Sequence, residues 1–214
     1  MIKLSKPSKM PCYSWSLVAR DTCPGSIENG ELVPACAGCY AAGGNYRFPN
    51  VKAPRVHNKE DWKREDWVSD MVQALDNSRY FRWFDSGDLY SVKLAEKIKL
   101  VMEKTPWVNH WLPTRSHKFK KFNKVLADIQ ALPNAVVRYS SDSVTGETIP
   151  GKTTSTIVPT PEHASDSMTL CKAYDNDGKC GTCRKCWDKS AKVIAYPAHG
   201  KSMAKIVNNI IARG

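Results

Sequence analysis

The chain has 214 residues, 42% of them hydrophobic and 25% charged, with a net charge of +11. That length buries a sizeable core without disulfide staples, and that composition argues against a disordered chain. So basic a balance favours polyanionic partners: nucleic acid, nucleotides or acidic proteins.

Met1 to Met10 carries Lys3, Lys6 and Lys9 with no apolar run behind them, so no secretory signal is expected. No stretch reaches the length of a transmembrane helix, so no membrane association is expected. A reducing cytoplasm follows as the expected compartment, where structural disulfides are rare. Eight cysteines there point to metal or catalysis.

The first predicted strand is Trp15 to Ala19. A loop rich in Gly, Pro and Cys follows from residue 21 to 50, long enough without regular structure to be functional. A helix is predicted from Lys59 to Asp76, with Val68, Met71, Val72 and Leu75 on one face. Tyr80 to Phe84 reads as a strand ending in Asp85-Ser86-Gly87-Asp88. Ser91 caps a helix whose inner face is Leu94, Ala95, Ile98, Val101 and Met102. Trp107 to Leu112 is the next strand, ending at Pro113-Thr114-Arg115. Ser116 caps a helix with Phe119, Phe122, Leu126 and Ile129 inward and Lys118, Lys120, Lys121 and Lys124 on a solvated face. Ala135 to Tyr139 is a strand ending at Ser140-Ser141-Asp142, and Thr154 to Val158 and Val193 to Tyr196 complete six candidates. Met203, Ile206, Val207, Ile210 and Ile211 form a last helical stripe. The seven tryptophans are assigned to the core.

This alternation predicts a single α/β domain over residues 1–214, built as a partial parallel (β/α)6 barrel. Carboxyl ends of parallel strands share one rim. Asp85, Asp88, Arg115 and Asp142 are therefore expected in one cavity beside the 21–50 loop. The carboxylates of Asp85 and Asp88 serve either to hold a ligand or to start the next helix. Arg138, inside a strand, is expected in a structural salt bridge.

Seven cysteines fall into two groups. Cys23, Cys36 and Cys39 read C-x12-C-x2-C, and Cys171, Cys180, Cys183 and Cys186 read C-x8-C-x2-C-x2-C within a metal-binding segment, 171–189. Four thiolates close the coordination of an iron–sulfur cluster, and three leave a metal position open for chemistry. Zinc is the alternative metal for the second group, although zinc sites usually present two separated C-x2-C pairs. Cys12 is either a fourth ligand to the first group or a buried thiol. A single site shared between the groups is a third arrangement. The histidines show no common spacing, and His199, in a loop between Pro197 and Gly200, is the best spare ligand.

Several runs are distinctive: Leu32-Val33-Pro34-Ala35-Cys36-Ala37-Gly38-Cys39-Tyr40, Arg47-Phe48-Pro49-Asn50-Val51, Phe81-Arg82-Trp83-Phe84-Asp85-Ser86-Gly87-Asp88, Trp111-Leu112-Pro113-Thr114-Arg115 and Cys186-Trp187-Asp188. From about Ser14 to Pro197 the chain resembles the phage-encoded gene product eighty-eight family, which implies a phage origin and the cytoplasm of an infected bacterium. It also resembles, more remotely, the radical S-adenosylmethionine enzymes. Those place three cysteines after the first strand with an aromatic residue beside the last, as Cys36, Cys39 and Tyr40 stand here. They follow the second strand with a glycine-containing acidic motif that holds the cofactor's amino group, as Asp85-Ser86-Gly87-Asp88 stands here. The spacing departs from theirs, with twelve residues between the first two cysteines in place of three. The resemblance implies a [4Fe–4S] cluster at Cys23, Cys36 and Cys39, an auxiliary cluster at the later cysteines, and an external reductant. It implies S-adenosylmethionine among Tyr40, Asp85, Ser86, Gly87, Asp88, Arg115, Ser140 and Asp142. With the basic charge, the expected substrate is a nucleotide or nucleic acid. The competing expectation is a non-catalytic module whose metals staple the fold while its surface binds nucleic acid or a host protein.

Overall fold

The computed structural model describes residues 1–212. The last two positions of the expected domain lie outside them. Strand β1 (Tyr13–Trp15) leads to a hairpin of β2 (Ile27–Glu28) and β3 (Glu31–Leu32). Helices α1 (Pro34–Ala37), α2 (Pro49–Asp61) and α3 (Trp67–Ala74) follow. Then β4 (Tyr80–Trp83), α4 (Val92–Lys104), β5 (Asn109–Thr114), α5 (Asn123–Ala131) and β6 (Ala135–Ser140) alternate. The chain continues through β7 (Thr154–Val158), β8 (Thr169–Leu170), β9 (Val193–Pro197) and α6 (Lys201–Ile211).

Seven strands form one sheet in the order β1-β4-β5-β6-β7-β9-β8, and every pair is parallel. Each of the six expected strands has a counterpart in it, although β1 ends at Trp15, where the expected strand, Trp15 to Ala19, begins. β1 and β8 are its two edges. The two-residue β8 and the β2–β3 hairpin were not expected, because two-residue strands carry no periodicity.

The expected helix from Lys59 to Asp76 is two helices. They break where Arg64 gathers Asp61, Asp66 and Asp70 at 2.9, 2.5 and 2.6 Å. α2 also starts ten residues earlier than expected. Pro49 sits at its first turn, where a missing N–H costs nothing, but Pro54 lies inside it and masked the helix in the sequence.

Between sheet and helices lies an apolar core. Trp15, Trp67 and Trp83 are fully buried. Trp15 meets Trp67 edge-on at 5.3 Å and Trp83 at 6.1 Å, geometries that add to simple burial. The predicted inner face of α4 is buried in full. One tryptophan departs from expectation: Trp107 is 45% exposed, because β5 begins only at Asn109. The stretch after Arg115 departs too. Two 3-10 turns precede α5, and Lys118 leaves the solvated face to pair with Asp142 at 2.6 Å and Glu28 at 3.1 Å.

Candidate metal and cofactor site

All parallel strands deliver their carboxyl ends to one rim. At the end of β4 the chain turns sharply. Phe84 takes φ +56°, a region that costs a non-glycine residue roughly 1–3 kcal/mol. Gly87 takes φ +76°, and a Cβ there would stand 2.6 Å from Leu17 Cβ. Only glycine fits. The turn is held from the segment just after β1: the Asp85 N–H donates to Ser16 Oγ at 3.0 Å, and Ser86 Oγ donates to the Leu17 carbonyl at 2.7 Å.

The two carboxylates of this turn are tied into the frame. Arg55 of α2 reaches Asp85 Oδ2 at 2.8 Å and Oδ1 at 3.1 Å, and its Nε donates to Ser86 Oγ at 2.6 Å. The Tyr46 hydroxyl donates to Asp85 Oδ2 at 3.1 Å, and the Tyr40 hydroxyl to the Asp85 carbonyl at 2.7 Å. Asp88 accepts from Thr114 Oγ1 at 2.6 Å, the Arg115 N–H at 2.7 Å and the Leu89 N–H at 2.7 Å. Burial lifts the Asp88 carboxyl to about 6 against these bonds, which favour its ionised form. Arg115 spans to Asp142 at 3.0 Å and to the Ser141 carbonyl at 2.6 Å, and the Ser140 carbonyl accepts from His117 Nε2 at 3.1 Å.

The first cysteine loop docks on this rim. Gly25 lies so close to β5 that a Cβ would meet the Arg115 carbonyl at 2.6 Å, and Gly38 so close to α6 that it would meet Met203 Cα at 2.8 Å. The Ala35 N–H donates to the Asp142 carbonyl at 3.0 Å. Cys23, Cys36 and Cys39 are thereby neighbours. Burial first, then the charges of Asp88, Cys36 and Cys39, push the Cys23 thiol to about 12, and burial raises Cys36 as well.

The second group is fixed by a buried arginine. Arg138 on β6 has no exposed surface. In place of the expected salt bridge it donates to the carbonyls of Lys185 at 2.8 Å, Asp188 at 2.6 Å, Cys186 at 3.2 Å, and to that of Ala191. The Cys180 N–H donates to the Lys9 carbonyl at 2.8 Å, and the Cys171 N–H to the Ala195 carbonyl at 2.8 Å. Cys186 Sγ lies 3.2 Å from the Tyr196 hydroxyl. Burial lifts its thiol to about 11. Cys183 is exposed. Cys12 is buried in a cluster with Trp111 and Trp187 against Cys180 and Cys186, so it neighbours the second group and not the first. His199 packs against Tyr174 with ring centroids 4.3 Å apart and planes tilted by 42°.

A cavity of about 710 Å³ joins the groups. Cys23, Cys36 and Cys39 line one part, Cys171, Cys180 and Cys186 another. Tyr40, Asp85, Ser86, Gly87, Asp88, Arg115 and Ser140 line it too, whereas Asp142 stands behind Arg115. All eight cysteines are free thiols. Among the described residues, no three Cys, His, Asp or Glu side chains already stand in chelating geometry. The donors are soft and the raised thiols are neutral, so loading a metal would replace protons. Sequence reasoning missed Arg55, Tyr46 and Arg82. Their partners lie far along the chain, and no spacing marks them.

A parallel α/β protein with a cysteine-lined cavity at its strand ends is the class these features define. The chain belongs to the Gene product 88 family, whose model matches residues 2–205. No curated protein and no solved structure matches it.

Proposed function

We propose that the protein is an iron–sulfur enzyme of the radical S-adenosylmethionine type, acting on a nucleotide or nucleic acid. One observation carries the reading: both cysteine groups line one cavity at the carboxyl ends of parallel strands. Cys23, Cys36 and Cys39 would hold a [4Fe–4S] cluster with one iron free of protein ligands. When bound, such a cluster supplies the electron for reductive cleavage of S-adenosylmethionine. Cys171, Cys180, Cys183 and Cys186 would hold an auxiliary cluster or, as the alternative, zinc. The sheet is then the wall of an incomplete barrel, its strands running in sequence order from β1 to β7.

The chain's own residues supply position and seclusion. Tyr40, next to Cys39, anchors on the Asp85 carbonyl and turns the first loop over the cavity. Asp85 holds Arg55 and Tyr46, so its part is to position. Asp88 and Arg115 are the rim groups beside Cys23 and Cys36.

Anaerobic purification tests the reading. The protein should be brown, with stoichiometric iron and sulfide, and with reductant it should convert S-adenosylmethionine to 5′-deoxyadenosine. Colourless protein containing only zinc would overturn it. A second reading draws on the Arg138 clamp, which ties the later cysteines to the fold: the metals are staples and the basic surface binds nucleic acid or a host protein. Bound iron without cleavage, together with nucleic-acid binding that weakens steeply with salt, would favour it.

A further inference from the structure

Beside the second cysteine group stands a cation in no direct ion pair among the described residues, with the Asp85 carboxylate as its charged neighbour. Arg82 of β4 lines the cavity. Its Nη1 lies 3.6 Å from the Met10 thioether, and its guanidinium borders the Tyr40 hydroxyl and the Asp85 carboxylate. Its Nε is shut off from solvent and has no hydrogen-bond partner. The neutral Tyr40 phenol lies beside it. The neighbouring carboxylate, Asp85, already pairs with Arg55 at 2.8 Å. Among the described residues Arg82 is in no ion pair. The carboxylate beside it is thus already committed to Arg55, so an anion in the cavity would meet Arg82 favourably. The ring of Trp111, 4.4 Å below, offers a cation–π contact and no charge.

A second cation shares the cavity. Lys9 lies over the rings of Tyr174 and Tyr196, at 5.2 and 5.9 Å. It too is in no ion pair among the described residues. At the mouth, Tyr40 is 53% and Tyr174 49% exposed, so two aromatic rings flank the entrance to a cationic interior.

We propose that this cavity binds a nucleotide unit, with its phosphate on Arg82 and Lys9 and its base against the aromatic rings. The planar fork of an arginine suits a phosphate, and aromatic faces accept any base. The volume, about 710 Å³, lies within the range of small-molecule sites. As the substrate of the proposed enzyme the nucleotide rests on that reading. Its binding does not, because neither cation needs a metal to hold it. A metal on Cys180 and Cys186 would instead place thiolates beside Arg82 and Lys9 and weaken the phosphate contact.

Calorimetric titration of the full chain tests this with AMP, GMP, CMP and UMP, the four matching nucleosides, and a 5′-phosphorylated single-stranded tetranucleotide. At least one monophosphate should bind at one per chain, with its nucleoside about tenfold weaker or more. Tighter binding of the tetranucleotide would identify the source as the end of a nucleic acid, and equal binding a free nucleotide. Arg82→Gln should reduce the monophosphate to the level of its nucleoside, and Lys9→Met should weaken it severalfold. Lys9 contributes its carbonyl to Cys180, which the substitution retains, so this variant serves if Arg82→Gln does not fold. Binding that does not distinguish phosphate from nucleoside, or that neither substitution changes, would overturn the proposal. Anaerobically purified protein that carries no iron yet binds the monophosphate would refute the enzyme and leave this site standing.

Discussion

Arg55 and Asp85 are 5% and 6% exposed and bonded through both carboxylate oxygens. Removing one partner of such a pair leaves a buried charge without compensation, at a cost of about 3–5 kcal/mol. Asp85→Asn should therefore lower stability by about 3 kcal/mol in urea unfolding, and Arg55→Met in the same chain should recover part of the loss. A loss of ligand binding with unchanged stability would instead make Asp85 a ligand contact. The Asp-Ser-Gly-Asp run was legible as a polar strand end. Its partner was not, because an arginine thirty residues upstream on a helix leaves no pattern. His110 offers a second case. Thr105 Oγ1 donates its only proton to the Val101 carbonyl at 2.7 Å, so His110 Nε2 must donate to Thr105 at 2.9 Å. Nδ1 then accepts from Trp83 Nε1 at 3.3 Å. Protonation would set two donors face to face, and burial holds the imidazole down at about 3. The folded state therefore binds fewer protons than the unfolded state between about 3 and 6.5, and stability falls as pH drops through that window. Asp88, raised to about 6, works in the opposite direction. His110→Phe should flatten the acid loss by about 1 kcal/mol per pH unit in urea midpoints taken from pH 6 to 4. An unchanged slope would contradict the assignment.

Among the elements, the segment around Cys186 depends most on a single side chain. It has only short 3-10 turns of its own, and Arg138 satisfies four of its carbonyls from β6. Arg138→Met should destabilise the protein by about 3 kcal/mol, since several buried acceptors lose their donor together. Hydrogen exchange should rise across residues 183–191 first, with the β4–β5 ladder still protected. Uniform exchange across the sheet would show that the clamp is not local. The helices illustrate what a sequence conveys at this scale. α4 was legible to the residue on its inner face, because an uninterrupted amphipathic run has one solution. α2 was hidden by two prolines, and the 3-10 turns before α5 share their apolar spacing with a helix.

At the scale of the molecule, strand–helix alternation was enough to place a parallel sheet and to bring Asp85, Asp88 and Arg115 to one rim with Cys23, Cys36 and Cys39. The six expected β/α units are not complete, however: β6, β7, β8 and β9 follow one another with no α-helix between them. The ordering of the last strands was not legible: β8 lies outside β9, and a two-residue strand is too short to announce its neighbour. The placement of Cys12 was likewise closed to sequence reasoning, since it depends on which apolar cluster the N-terminal segment joins. No helix among the described residues is long and apolar enough to cross a membrane.

The contact of Gly38 with Met203 has a consequence for synthesis. The turn that carries Cys36 and Cys39 is translated early, yet the surface against which it closes belongs to α6. Cys180, by contrast, hydrogen-bonds to Lys9, which leaves the ribosome long before it. The first thiol group therefore reaches its final shape only after α6 is made, whereas the second meets a partner that is already there. Whatever the first group holds in its final shape must be taken up after translation has passed residue 203.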